Sequence, residues 1–260
     1  MIVSRMPDNL VLCYHALSHT WDADLSTTPE RFEHQVELLL ERGYRGVGFT
    51  EAVCSPGENK VLAITFDDAY RSVIELALPI LTRLGVPATV FVPTDHIGST
   101  GAMQWPGIDR WLNGPFEREL EPMSWAEIQS LAAAGWEIGS HTGSHPHLTQ
   151  LDNAALEDEL ARSKAACEEH VSGACRSLAY PYGDVDARVV AATAKTGYAT
   201  AAALPRRLGS RDPLEWPRVG VYRIDGDLRF RLKVSPALRR LRSSAAWEVV
   251  GSAHRLLRLR

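Results

Sequence analysis

The chain has 260 residues, 45% of them hydrophobic and 23% charged, which suits a globular protein with one large core or two small ones. No apolar run approaches the roughly 20 residues that span a bilayer, which excludes an integral helical membrane protein on this pattern. Charge is uneven: the total is −4, but residues 227–260 carry nine Arg or Lys against Asp227 and Glu248, a local +7 that leaves −11 on the rest.

MIVSRMPDNLVLCYHAL lacks a basic segment followed by a long apolar run, so no signal peptide is read and a cytoplasmic protein is expected. Cys13, Cys54, Cys167 and Cys175 have no CxxC spacing and read as scattered thiols of a reducing compartment, although a Cys167–Cys175 bridge stays open. VLCYH (11–15) is the first strand candidate. Thr28 and Pro29 then look like an N-cap and first helical position, and Phe32, Val36, Leu39 and Leu40 keep helical spacing until Gly43. YRGVGF reads as a short strand and VLAITFDD (61–68) as a buried strand ending in two carboxylates. Val73, Ile74, Ala77, Leu78, Leu81 and Leu84 mark a helix that Pro79 should kink, unless the helix begins there.

ATVFVPT (88–94) is the next strand, and residues 97–123, rich in Gly, Pro and Trp, read as a long loop. Ser124 and Glu127 form a capping-box pattern for a helix running to Gly135. WEIGSH is a strand, 152–170 a helix, CRSLAYPYG a strand running into a turn, 186–196 a helix and YATAAA a strand. This alternation is the signature of parallel βα units, and no internal repeat interrupts it.

The polar clusters YH, FDD, SHTGSH and PYG each stand where an apolar strand gives way to a loop. In a parallel barrel all such ends share one face, so residues far apart in sequence converge there. His141 and His145, four apart, can point the same way if the chain turns helically. HxxxH alone is weak, and Thr142 stands where a zincin needs glutamate. Asp67-Asp68 alone is equally a pair capping the next helix. Together, one aspartate and two histidines supply three ligands with open positions, as a catalytic metal site requires, and leave the other aspartate as a base. One tension remains: successive strand residues face opposite sides, so both carboxylates reach one site only if the strand is already turning at Asp67.

TFDDAY, SHTGSH and LAYPYG resemble the first three motifs of the NodB-type polysaccharide deacetylases, carbohydrate esterase family 4, of the kind with an N-terminal YH. The resemblance runs from about Val11 to Val221. It implies an α/β fold, a distorted (β/α)7 barrel over 1–226, followed by a basic, helical tail over 227–260. It also implies metal-dependent removal of N-acetyl groups from sugars of a polysaccharide, lipid-linked glycan or glycoconjugate. By position, Asp67 matches the family's base, while Asp68, His141 and His145 match ligands of one divalent ion, zinc by default. The backbone N–H of Tyr182 matches the oxyanion donor, and His147 matches no ligand.

The sequence also departs from that pattern. Ala179 stands where many members carry an arginine that orients the base; Arg218, in WPRVGV, is either its substitute or a surface charge. Asp212 and Trp216 are weak candidates for the fourth motif, Trp216 reading better as core. The C-terminal LxH that supplies the acid is absent, and His15 takes that role by resemblance. Trp105 and Trp111 read as local packing before sugar stacking. Two rivals remain: a metal-independent cyclic amide hydrolase of the same fold, and a catalytically silent carbohydrate-binding protein. Loss of ligands or base would signal either, and all are present. No nucleic-acid partner is expected. In the tail, Leu238, Leu241, Ala245, Val249 and Leu256 recur at helical spacing among arginines, fitting an amphipathic helix at the anionic inner membrane surface or one docked on the acidic body.

Overall fold

The computed structural model describes residues 8–54, 60–99, 101–205, 207–244 and 247. β1 (Asn9–Tyr14) leads through the short paired strands β2 (Ala16–Leu17) and β3 (Ser26–Thr27) into α1 (Pro29–Glu41). Thr28 caps α1 by accepting the Arg31 N–H at 3.3 Å, and Pro29 sits in the first turn, where its missing N–H costs nothing. β4 (Arg45–Val47) is shorter than the sequence suggests, because Phe49 already opens α2 (Phe49–Cys54).

After β5 (Val61–Phe66), residues Val73–Ala77 form a π-helical turn and α3 runs Leu78–Leu84. Helical backbone runs unbroken over residues 71–84, so Pro79 lies inside it, directly after the π-helical turn, the kind of local widening found where a helix carries a proline. β6 (Thr89–Val92), α4 (Trp125–Ala133) and β7 (Glu137–Ser140) follow; Ser124 and Glu127 close the capping box of α4, with Glu127 Oε2 accepting the Ser124 N–H at 2.6 Å. The chain continues through α5 (Asn153–Val171), β8 (Ser177–Ala179), α6 (Ala187–Thr196) and β9 (Thr200–Ala203). It then reaches β10 (Trp216–Pro217), β11 (Val219–Gly220), α7 (Asp227–Lys233) and α8 (Pro236–Ser243).

Among the described residues all strand pairs are parallel, in the order β10-β9-β8-β7-β6-β5-β1-β11, with β4 on the lower part of β5. Only Arg218 separates β10, which pairs with β9, from β11, which pairs with β1. Residues 216–220 thus act as one stave bridging both edges, and with it the barrel has seven strand positions around its circumference. This is a distorted (β/α)7 barrel.

Period-2 alternation sorts the strand side chains. Leu10, Leu12 and Tyr14 of β1 and Leu62, Ile64 and Phe66 of β5 join the large core between barrel and helices. Val11, Ala63, Phe91, Ala179, Ala202 and Trp216 fill the barrel interior, with Phe49 of α2 packed edge-on to Phe91 at 5.6 Å. Gly139 is required there: a Cβ would meet the Phe91 ring and Ser177 Oγ at 2.6 Å. Trp216 is thus barrel core, and Asp212 caps a short turn by accepting the Leu214 N–H at 2.9 Å.

The C-terminal helices lie on the barrel. Phe230 of α7 and Val234 are buried in the large core, Lys233 pairs with the buried Asp225, and Arg239 of α8 pairs with Asp8. Leu238 is half-buried and Leu241 exposed, while Ala245, Val249 and Leu256 lie outside the described residues. No described helix is long and apolar enough to cross a membrane. Phe230→Ala should lower unfolding free energy by about 3–5 kcal/mol in urea titration, the cost of emptying a buried aromatic site. An unchanged midpoint would mean that α7 is not part of the cooperative core.

Candidate active site

Strand alternation explains how the first residues meet. Cys13 pairs with Thr65 and Tyr14 with Phe66, so the next pair along the two strands sets His15 beside Asp67. Cys13, His15, Thr65 and Asp67 therefore share the inward row at the mouth. Arg218 enters the same space from the closing stave. It is 1% exposed, and its Nη1 and Nη2 donate to Asp67 Oδ1 and Oδ2 at 2.6 and 2.7 Å. Nη1 also donates to Thr65 Oγ1 at 2.9 Å, and its guanidinium stands 5.4 Å from the centre of the Phe91 ring.

The surface-charge reading of Arg218 is therefore excluded: a guanidinium in this place is stable only because a carboxylate meets it fork to fork. Burial pushes the Asp67 carboxyl up, but the Arg218 charge, the His141 charge and the Arg218 hydrogen bonds together outweigh it and hold the group at about 2. Cys13 Sγ lies 3.4 Å from Asp67 Oδ2, and burial pushes its thiol up. His15 Nδ1 is buried with no hydrogen-bond partner among the described residues, and burial lowers the imidazole's proton affinity despite the nearby Asp68 and Asp67.

The second carboxylate arrives by a different route. β5 ends at Phe66, and Asp68 and Ala69 take left-handed φ values of 71° and 54°. This turn brings Asp68 to the side that Asp67 already faces, which resolves the alternation problem. Asp68 Oδ1 lies 3.3 Å from both His141 Nε2 and His145 Nε2, and among the described residues it has no other hydrogen-bond partner. His141 Nδ1 contacts the Ala179 carbonyl at 2.8 Å. A carbonyl only accepts, so that nitrogen carries a proton, and in the neutral ring the Nε2 lone pair faces Asp68. Against the effect of burial, the neighbouring Asp67 and Asp68 raise the His141 imidazole's proton affinity, so either protons or a cation can bridge the three groups. With both rings neutral, the Asp68, His141 and His145 donors converge as a three-ligand metal site requires.

The loop carrying the histidines is strained and held. Thr142 and His145 have φ of 69° and 61°, in the left-handed region that costs a non-glycine residue about 1–3 kcal/mol each. Glu159, buried on α5, offsets this by accepting the Gly143 and Ser144 N–H groups at 2.8 and 2.9 Å and the Ser144 hydroxyl at 2.8 Å. Nothing in the sequence singled out Glu159, one acid among many on a polar helix. Trp105 does pack, and its partner is the site itself: it stacks on His145 at 4.2 Å with the planes 20° apart. Trp111 packs edge-on against Trp21 and Phe116.

Tyr182 has φ of 59° and is 41% exposed at the mouth, edge-on to His145 at 4.7 Å and stacked on His147 at 4.0 Å. Burial, then the Asp68 charge, pushes its phenol up to about 12. His147 points elsewhere, with Nδ1 3.6 Å from Asp184, and stands apart from the Asp68, His141 and His145 donors. Tyr70, also in TFDDAY, is fully buried beside Asp68; burial, then the Asp68 charge, push its phenol up.

The family model for polysaccharide deacetylases matches residues 55–201. A chitooligosaccharide deacetylase of Bradyrhizobium sp. (strain ANU 289) is 32% identical over 192 residues, 72% of this chain and 68% of the relative. The poly-beta-1,6-N-acetyl-D-glucosamine N-deacetylase of Staphylococcus epidermidis is 24% identical over 184 residues, 66% of this chain but 59% of that protein. In fold, the deacetylase PplD of Streptococcus pyogenes superposes with a TM-score of 0.73 at 19% identity, over 89% of this chain and all of that one. Barrel and comparisons together define a hydrolase acting on amide bonds. The chain belongs to the polysaccharide deacetylase family.

Proposed function

We propose that the protein removes N-acetyl groups from sugars of a polysaccharide, lipid-linked glycan or glycoconjugate, using one divalent ion held by Asp68, His141 and His145. The observation that carries this reading is Asp68 Oδ1 facing two imidazole nitrogens at 3.3 Å with no other hydrogen-bond partner among the described residues. Mixed nitrogen and oxygen donors with open positions suit zinc. Such an ion supplies a water acidified to a pKa of about 7 and a polarised acetyl carbonyl.

Asp67 accepts the proton of the attacking water. A carboxylate held at about 2 is a poor base toward ordinary water and serves only against an acidified one, which ties the base to the ion. Arg218 keeps Asp67 ionised and aimed. The Tyr182 N–H is assigned to the oxyanion, as in the family resemblance. The departing amine needs a proton, since an amide anion is a very poor leaving group, and His15 beside Asp67 is placed to give it. An imidazole shifted down by burial donates more readily but is less often protonated at neutral pH. Intact ligands and base favour this reading over a metal-independent cyclic amide hydrolase or a silent binding protein. The names of the relatives favour N-acetylglucosamine polymers as substrate.

Acetate release from N-acetylated oligosaccharides, measured with metal content, tests the proposal. His145→Ala should lose both metal and acetate release, whereas His147→Ala should keep its metal. Full metal occupancy in His145→Ala would reject the ligand assignment. Asp67→Asn should keep metal and lose roughly 10²–10⁴-fold in turnover, the usual worth of a general base. His15→Ala should also keep metal, with a larger rate loss on amides than on activated esters, whose leaving groups need no proton. Equal losses on both substrates would remove His15 as the acid.

The proposal extends to the C-terminal helices, which we place at the anionic inner membrane surface of the cytoplasm. Leu228 and Leu232 stand one turn apart on α7 at 74% and 54% exposure, and Arg240 is exposed on α8. An apolar pair within a strongly basic segment suits a charged interface. Binding to anionic liposomes should weaken with salt and with the double change Leu228→Asp, Leu232→Asp. Absence of binding at low salt would end this part of the reading.

A further inference from the structure

Next to the proposed ion site lies a second set of donors. Cys13 Sγ, a ring nitrogen of His15 and a carboxylate oxygen of Asp67 all lie within 4.8 Å of one another. Cys13 and Asp67 are already 3.4 Å apart, and His15 Nδ1 is buried with no hydrogen-bond partner among the described residues. Around a tetrahedral ion with bonds of about 2.0–2.3 Å, donors sit roughly 3.3–3.8 Å apart, so these three need close by only about 1 Å. β1 delivers two of them on one face by period-2 alternation and β5 delivers the third from the neighbouring strand.

We propose that Cys13, His15 and Asp67 form a second metal site, selective for soft, thiophilic ions such as Cd²⁺ or excess Zn²⁺, and that filling it stops hydrolysis. Selectivity follows from the donors. A thiolate favours soft ions, whereas Mg²⁺ and Ca²⁺ prefer sets made of oxygen alone. The Cys13 S–H bond breaks as the S–metal bond forms, and the proton leaves to solvent. Arg218 uses one lone pair on each Asp67 oxygen, and an ionised carboxylate keeps a second on each. The guanidinium charge nonetheless repels an incoming cation. This site therefore fills after the Asp68 set, and only with an ion that bonds strongly to sulfur. Once filled, it occupies the base and the proposed acid together, so the inhibitory consequence rests on the proposed function while the binding does not.

The test loads the enzyme with one equivalent of Zn²⁺ and titrates it with CdCl₂ or MgCl₂. Bound metal, ultraviolet thiolate-to-cadmium absorption and acetate release are followed together. Wild type should bind one more Cd²⁺ than Cys13→Ser, with extra thiolate absorption, and should lose activity as it does so. Mg²⁺ should do neither. The inhibitory Cd²⁺ concentration, relative to each protein's own uninhibited rate, should rise at least about 100-fold in Cys13→Ser, since even an outer-shell partner is worth 10–100-fold in metal affinity. Cys54, Cys167 and Cys175 are present in both proteins and cancel in the comparison. Cys13→Ala serves as a second variant, with its melting temperature checked. Equal Cd²⁺ binding in wild type and folded variants overturns the site, and equal inhibition overturns its effect. An enzyme that gains the extra Cd²⁺ but releases no acetate from any substrate overturns the functional proposal while supporting the site.

Discussion

The structure depends on one buried ion pair, Arg218 with Asp67. The barrel closes through a stave of five residues, 216–220, whose two halves hold different neighbours, and Arg218 is the residue between them. Its guanidinium is sealed from water, so the stave can close only where a carboxylate waits inside. Asp67 has the converse need, because a lone carboxylate at that depth would take up a proton. Removing either partner leaves an uncompensated buried charge, a loss of about 3–5 kcal/mol in comparable pairs. Barrel closure and an ionised base are one constraint, met by two hydrogen bonds.

The opposite wall of the mouth follows a different logic. There the donors are set by backbone in a left-handed conformation, at Asp68, Thr142, His145 and Tyr182. Such backbone persists only where the surroundings over-determine it. Ser140 Oγ accepts the Thr142 N–H, Thr142 Oγ1 accepts the His145 N–H, and Glu159 accepts from the two residues between. Trp105 then covers one face of His145 and Tyr182 approaches its other surroundings edge-on, so the imidazole has little freedom to turn. Positioning of this kind keeps ligands convergent before any ion arrives.

Much of this was legible because strand ends announce themselves. The apolar runs of β1, β5 and β7 stop at His15, Asp67 and His141, and parallel topology gathers such ends without further information. Other features depended on tertiary contacts that no local pattern records. A turn at Asp68 is a backbone choice that its own side chain does not advertise. Arg218 reads from sequence as a base-orienting group or a surface cation with equal ease, because the distinction lies in which strands flank it. Glu159 and Trp105 act across more than ten residues or from a long loop, where helical or strand periodicity has no purchase. Pro79 is simpler: the sequence allowed a distorted helix or a late start, and the structure shows the first, a helix continuous over residues 71–84 with a π-helical turn just before the proline.

The exchange of Ala179 for the arginine expected from the third motif has a structural counterpart. Ala63, Ala179 and Ala202 are small members of the interior, while Phe91, Trp216 and Arg218 are large ones, with the Arg218 guanidinium 5.4 Å from the Phe91 ring centre. A barrel this narrow is filled by mixing small and large side chains, so one bulky cation at that level leaves little room for another. Moving the arginine to the closing stave also frees β8 for a different task. Its Ala179 carbonyl holds the His141 ring nitrogen and sets which tautomer faces Asp68. The base is thereby oriented from one side of the mouth and the histidine from the other, by residues whose identities only the closed barrel explains.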